Sequence, residues 1–402
     1  MADYFLQENP KLEKIWLVYS EKNPFQSGTK EQADNLETIL EKRWKQSRPD
    51  LFPLKGASLS DVSNAVSIQN DIRQQILDKL NVKKGIHLNY TGGTKSMSTH
   101  IYWILKELKK VETQFSYLDA RNFRLISDES GVIENDLRKK VSLSMDEMIR
   151  LHGFERKNKA KDFEFSESLK IFQELVENGR LENFYGEGGY NRDMFLNENG
   201  NLAEKVKELS KSNLKRLKEF NPNETLMSVI NNMPDDYRLF DTNGDFRYEP
   251  EKRKIKAPVK FLDGDWLEYY VANTVQEHLS KDNIRAEQNW VIKKPEWTGN
   301  LDFELDVVLI NGYQLTGISC TTDDGKYCKN KGFEIIHRTR QIGGDESKSI
   351  LVSGMNDKNR DQVQAELMYD TGGNKGNILV LGEEDLKKET LIREIKKFVF
   401  SE

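Results

Sequence analysis

The amino-acid sequence predicts an α/β protein made of two α/β units and a helical linker region between them. Over residues 1–154 short apolar runs alternate with helix-spaced apolar stripes. Residues 155–256 turn polar and helix-rich, and a mixed helix and strand pattern returns over 257–402. A chain of 402 residues also exceeds the usual size of a single hydrophobic core.

The first unit opens with the apolar run Ile15 to Tyr19, followed by helical spacing at Ala33, Leu36, Ile39 and Leu40. A helical window spans 61–80, and Ile86 to Tyr90 reads as a strand. Met97, Ile101, Ile104, Leu105 and Leu108 then fall on one face of a helix. Strands follow at 115–118 and 123–126. This alternation predicts a Rossmann-like parallel sheet.

The middle region holds one long basic amphipathic stretch, 201–220, whose helix either touches nucleic acid or presents a solvated face, the second being favoured. Asp241 to Asp245 imitates the start of a calcium loop but has Lys252 where a bidentate Glu is required, so it is set aside. In the last unit Leu267, Val271, Val275 and Leu279 form a helical stripe. Strand-rich sequence covers 302–322, a helix 332–342, and strands 350–352 and 378–381.

Charge and composition restrict function. The net charge is -5 with a pI near 5.8, so nucleic-acid contact has to come from local patches, not from the averaged field. No window approaches the roughly 20 apolar residues of a membrane span. The N-terminus lacks a leader pattern, and Cys320 and Cys328 offer no disulfide framework. The expectation is a cytoplasmic protein.

Two motifs carry chemistry. In the first, Thr91-Gly92-Gly93-Thr94-Lys95 lies between a strand end and a helix start. Glycines allow close backbone approach, the helix N-terminus offers free amides, and Lys95 adds a positive charge. It is not a P-loop, because Thr94 stands where Gly must precede Lys, and G-x-G-x-x-G is absent. By composition alone it also fits an ordinary strand-to-helix turn.

With the preceding strand, this string resembles the CARF domains of type III CRISPR effectors, which bind cyclic oligoadenylates across a homodimer interface. The resemblance covers about residues 10–150. It implies that Thr91, Gly92, Gly93, Thr94 and Lys95 hold phosphates, that Ser20 and Asn23 form the opposite lip, and that cyclic tetra-adenylate is the activator.

In the second motif, 264–271 followed by Leu305-Asp306-Val307-Val308 resembles the PD-(D/E)xK, restriction-endonuclease-like domain joined to CARF in activated DNA and RNA nucleases. It implies that Glu268 and Asp306 ligate Mg²⁺ or Mn²⁺ in an endonuclease of antiviral defence, acting on DNA or single-stranded RNA. Asn311-Gly312 reads as a type I′ turn, pairing Ile310 with Tyr313, Asp306 with Gly317 and Glu304 with Ser319. Glu304, Asp306, Ser319 and Thr321 then share a face, with Cys320 on the other as core.

The family's Glu-x-Lys falls on Ser319-Cys320-Thr321. Glu304 is the candidate replacement carboxylate, and Lys326, Lys329 or Lys331 the displaced lysine, with Lys331 placed in the catalytic set. Glu334, His337, Arg338 and Gln341 either line the site or form an exposed polar face. Three readings follow: a metal-dependent nuclease activated by cyclic oligoadenylate, a cyclic-oligoadenylate-binding regulator whose nuclease-like domain no longer hydrolyses, or an α/β nucleotide-binding protein of unrelated function that shares only the fold.

Overall fold

The computed structural model describes residues 1–24, 28–80, 85–109, 111–157, 163–249, 253–280, 284–296, 301–323, 325–372 and 377–400. The N-terminal part is α/β as expected, with its strands in two groups. β1 (Trp16–Ser20) pairs in parallel with β2 (Lys55–Leu59). β3 (Ile86–Asn89) pairs in parallel with β4 (Thr113–Asp119), and the antiparallel strands β5 (Arg124–Ser127) and β6 (Gly131–Glu134) extend that sheet. The parallel alternation therefore gives way to a meander after β4. The helices Ala65–Gln75 and Lys95–Lys106 supply Ile68, Ile72, Met97, Ile101 and Ile104 to a core with Ala57, Leu59 and Phe115.

The C-terminal sheet runs in the order β12 (Ile378–Leu381), β11 (Lys348–Ser353), β10 (Gln314–Thr321), β9 (Asp302–Asn311), β8 (Ile284–Lys293), β7 (Glu155–Arg156). Its centre is an antiparallel group, β8, β9 and β10. β10 passes through the Lys326–Gly343 helix to β11, which it meets in parallel, and β12 pairs in parallel with β11. The Trp266–Leu279 helix packs on one face of this sheet, sharing a core with Val307, Leu309, Ile318 and Cys320. The Lys326–Gly343 helix packs on the other, where Ile335 and Ile336 meet Val308, Ile310 and Leu315.

Packing redraws two parts of the sequence reading. The Met145–Leu151 helix and Phe154 belong to the C-terminal core with Trp290 and Phe303, and β7 (Glu155–Arg156) is the edge strand of that sheet. The helical insert or linker expected over 155–256 packs onto the C-terminal unit, where Leu169, Phe172, Phe184 and Leu226 continue the core around Trp266 and Tyr270. The basic stretch 201–220 is also not one helix. Ser210 caps a short helix, Lys211–Glu219, by accepting the Asn213 N–H at 3.1 Å, and a 3₁₀ turn, Val206–Glu208, precedes it. The calcium-like loop is an Asx turn, in which Asp241 Oδ1 accepts the N–H groups of Asn243 at 2.8 Å and Asp245 at 3.0 Å.

Candidate functional site

Glu268 lies in the first turn of the Trp266–Leu279 helix, which a π-helical segment, Phe261–Asp265, leads into. Such π-turns concentrate at functional sites. The turn brings Asp265 near the Glu268 carboxylate as a second negative charge, and Thr322 Oγ donates to the Asp263 carbonyl at 2.7 Å to hold the segment against the end of β10.

Asp306 comes from a break in β9. Val307 and Leu309 face the Trp266–Leu279 helix, whereas Phe303 and Leu305 join the opposite core with Val308 and Ile310. β8 breaks in the same way: Ile284 and Ala286 lie on the first side, Trp290 and Ile292 on the second. The register is unchanged across the break, with Val307 opposite Gln288 and Leu305 opposite Trp290. The two alternations therefore reverse at one level, that of Asn289 and Asp306. Asn289 has φ +54°, a left-handed conformation that Asn adopts more readily than most residues.

The β9–β10 register corrects the sequence expectation. Ile310 lies opposite Leu315 and Val308 opposite Gly317, a displacement of two residues from the expected pairing. Gly312 takes the first central position of the turn with φ +62°, and Tyr313 has no positive φ, which is the type II′ pattern and not I′. Continuing this register puts Asp306 level with Ser319 and Glu304 level with Thr321. The last paired level is Ile318 with Val307. Beyond it Asp306 Oδ2 accepts the Cys320 backbone N–H at 2.7 Å and the Ser319 hydroxyl at 3.1 Å. The carboxylate thus occupies the place of a ladder carbonyl.

The site is electrostatically strained. Burial pushes the Glu268 carboxyl far above the ordinary Glu range, and the charges of Asp306, Asp265 and Glu304 push the same way. Burial also raises Asp306, against the pull of its Cys320 and Ser319 hydrogen bonds. Lys331 is the cation whose charge favours ionisation of both. Among the described residues neither carboxylate has a salt-bridge partner. Cys320 is buried beside them, its thiol raised by burial and by Asp306 and Glu268. It lies on the Trp266–Leu279 side of the sheet and acts as core.

The other candidates separate. Lys329 is drawn away by Glu366 at 2.8 Å and Asp370 at 3.1 Å, and the side chain of Lys326 lies outside the described residues. Arg338 covers the Phe303 ring at 4.6 Å and donates to Gln341 at 3.2 Å, while Glu334 and His337 are exposed. Asp265 and Asn289 were not among the candidates. The Gly264 in an otherwise helical run signals the first, and nothing local in the sequence signals the second.

The N-terminal loop is exposed from Thr91 to Lys95 at the end of β3. Thr94 caps the Lys95–Lys106 helix by accepting the Met97 N–H at 3.2 Å. Gly93 has φ +89°, and a Cβ on Gly92 would meet nothing within 4 Å. Thr91 Oγ accepts the Leu118 N–H at 2.7 Å, tying the loop to β4. Ser20 is buried at the end of β1, where its N–H donates to Thr29 Oγ at 3.0 Å and its hydroxyl lies 3.2 Å from the same atom. Asn23 is exposed just beyond.

No protein-family model matches the sequence, and no curated protein matches it. Solved structures do match. Can2 from Sulfobacillus thermosulfidooxidans, in complex with cyclic tetra-adenylate, is similar at 15% identity with a TM-score of 0.62, over 98% of this chain and 95% of that one. Protein VC1899 from Vibrio cholerae is similar at 16% identity with a TM-score of 0.65, over 98% of this chain and 94% of that one. The chain shares their fold over 98% of its length. The likeness bears out the expected architecture, an N-terminal α/β unit followed by a C-terminal α/β unit. Among the described residues no helix is long and apolar enough to cross a membrane.

Proposed function

We propose that the chain is a nuclease of type III CRISPR defence that cyclic tetra-adenylate activates and a divalent cation serves, working as a cytoplasmic homodimer on DNA or single-stranded RNA. The observation that carries this reading is the pair Glu268 and Asp306, two half-buried carboxylates from adjacent elements with no salt-bridge partner among the described residues. Such a pair either takes up protons or takes a cation. An all-oxygen donor set suits Mg²⁺ or Mn²⁺. Among the described residues no group of three or more His, Cys, Asp or Glu side chains is placed to hold a metal ion, so the proposed ion would rest on this pair, with water and substrate phosphate completing its shell.

Glu268 and Asp306 would hold the ion, with Glu304 at the rim. The ion would supply charge neutralisation on the phosphodiester and orient the attacking water. Lys331 takes the part of the lysine missing from β10, and Ser319 with the Cys320 amide fixes Asp306. Thr91 to Lys95 form a phosphate cradle at a helix N-terminus, with Ser20 and Asn23 at its lip. A ligand with rotational symmetry suits a twofold dimer.

A second reading rests on Asp306 Oδ2, which already accepts two hydrogen bonds. It is a binding-only regulator with the same sensor loop. Supercoiled plasmid and labelled single-stranded RNA, incubated with and without cyclic tetra-adenylate and Mn²⁺, separate the two. Cutting that requires the activator, the metal, Lys95 and Asp306 supports the nuclease. Ligand binding lost in Lys95→Ala, without cutting by the wild type, replaces it with the regulator.

A further inference from the structure

The tip of the β9–β10 hairpin is clasped by the N-terminal unit. Leu143 N–H donates to the Gly312 carbonyl at 2.9 Å. The Arg138 side chain, 8% exposed, is held by Asp136 through Nε to Oδ1 at 2.9 Å and Nη2 to Oδ2 at 3.1 Å, and its guanidinium lies 3.9 Å from the Phe123 ring centroid. Its remaining arm, Nη1, donates to Gln314 Oε1 at 2.7 Å. Gln314, itself 2% exposed, passes the link to the Glu346 carbonyl at 2.9 Å. The approach is close enough that a Cβ on Gly312 would lie 2.3 Å from the Arg138 carbonyl oxygen.

The clasp also meets the ligand loop. Tyr313, beside Gly312, packs against the cluster of Leu118, Leu125 and Leu137, and the Leu118 N–H is the one that Thr91 Oγ accepts at 2.7 Å. Contacts therefore run without interruption from the 91–95 loop through β4 to the hairpin tip. The far end of that hairpin carries Asp306 on β9 and Ser319 and Cys320 on β10. A guanidinium fixed on three sides transmits displacement instead of absorbing it, because its fork geometry is rigid.

We infer that Arg138 is a positioning residue, and that its contact with Gln314 is the link by which occupancy of the 91–95 loop is felt at the carboxylate site. The link rests on the proposed function for its ligand, though not for its mechanics. Hydrogen exchange at the 317–321 amides of the full chain tests the mechanics without ligand, and the ratio of Mn²⁺-dependent cutting with and without cyclic tetra-adenylate tests the coupling. In Arg138→Met the amides exchange faster and the activation ratio falls by a factor in the usual coupling range of about 5–150. Arg138→Lys, which keeps a donor for Gln314 and loses the fork, gives an intermediate ratio and stands in should the Met variant not fold. Unchanged exchange together with an unchanged ratio overturns the inference. A wild type that does not respond to cyclic tetra-adenylate overturns the proposed function instead, and exchange at 317–321 still decides whether Arg138 positions the hairpin.

Discussion

Asn289 lies level with Asp306 on the neighbouring strand, and at that level both strands exchange the faces to which their side chains point. Asn289 absorbs the reversal with φ +54°, and its Nδ2 reaches the Tyr269 hydroxyl at 3.4 Å, next to Glu268. Glycine adopts this backbone freely, and a β-branched residue does not. Asn289→Gly should therefore leave the melting temperature nearly unchanged, whereas Asn289→Val should lose about 1–3 kcal/mol in denaturant unfolding. Equal stability of the two variants would mean that the reversal does not depend on residue 289.

Glu268→Gln separates stability from activity. The amide removes a carboxylate that burial and three acidic neighbours disfavour, so the variant should melt higher, by about 2–4 °C for each kcal/mol relieved. It should also lose metal-dependent cutting. Functional sites commonly hold such opposed demands. A lower melting point would show that the Glu268 carboxylate is compensated in the folded protein.

The same groups set a pH dependence. For Glu268 and Asp306 the folded-state value lies above the ordinary one, so the folded protein binds more protons than the unfolded chain in the interval between them. Stability then falls as pH rises from the ordinary carboxylate value towards the folded one. Without divalent ions the stability gap between Glu268→Gln and wild type should widen from about pH 5 to 8. Mn²⁺ should narrow it by stabilising wild type alone. A gap independent of pH would contradict the assignment.

Much of this was legible in the sequence. The strand–glycine–helix passage at 86–106 and the helical stripe on Leu267, Val271 and Val275 fall where local periodicity puts them, because each element buries one face. β8 was not legible, because Arg285, Glu287, Gln288 and Asn289 interrupt its apolar pattern and its face changes midway. The hairpin register was displaced for a non-local reason: the backbone of Arg138 sits against Gly312, a contact 174 residues away in sequence that favours Gly at the first central position over Asn-Gly in the middle. Lys331 was chosen over Lys329 from the sequence, and what the sequence could not show is that Glu366 and Asp370 turn Lys329 away.

In the 91–95 loop, adjacent glycines should behave differently. Gly93 has φ +89° and its Cβ would lie 3.3 Å from Met97 Cε, so Gly93→Ala should cost roughly 1 kcal/mol or more. Gly92 has open space on its Cβ side, and Gly92→Ala should leave the melting temperature unchanged. If the loop cradles phosphate, Gly92→Ala should still weaken binding of cyclic tetra-adenylate by blocking backbone approach. Isothermal titration of the full chain measures this, and unaltered affinity would move the ligand away from Gly92.

The two lysines give the sharpest test of the proposed active site. Lys331 lies close enough for its charge to favour ionisation of Glu268 and Asp306, and its nearest acidic partner, Glu334, is 3.9 Å away on its own helix. Lys329, two residues earlier, is turned to Glu366 and Asp370. Lys331→Ala should reduce cutting by about 10²-fold or more, the scale of a lost proton-transfer or charge-stabilising group. Lys329→Ala should change cutting little and cost only the surface ion pairs, about 0–1 kcal/mol. Rates from single-turnover assays in Mn²⁺ decide between them. A large loss from Lys329→Ala with none from Lys331→Ala would require the Lys326–Gly343 helix to turn its other side to the carboxylates in the active state.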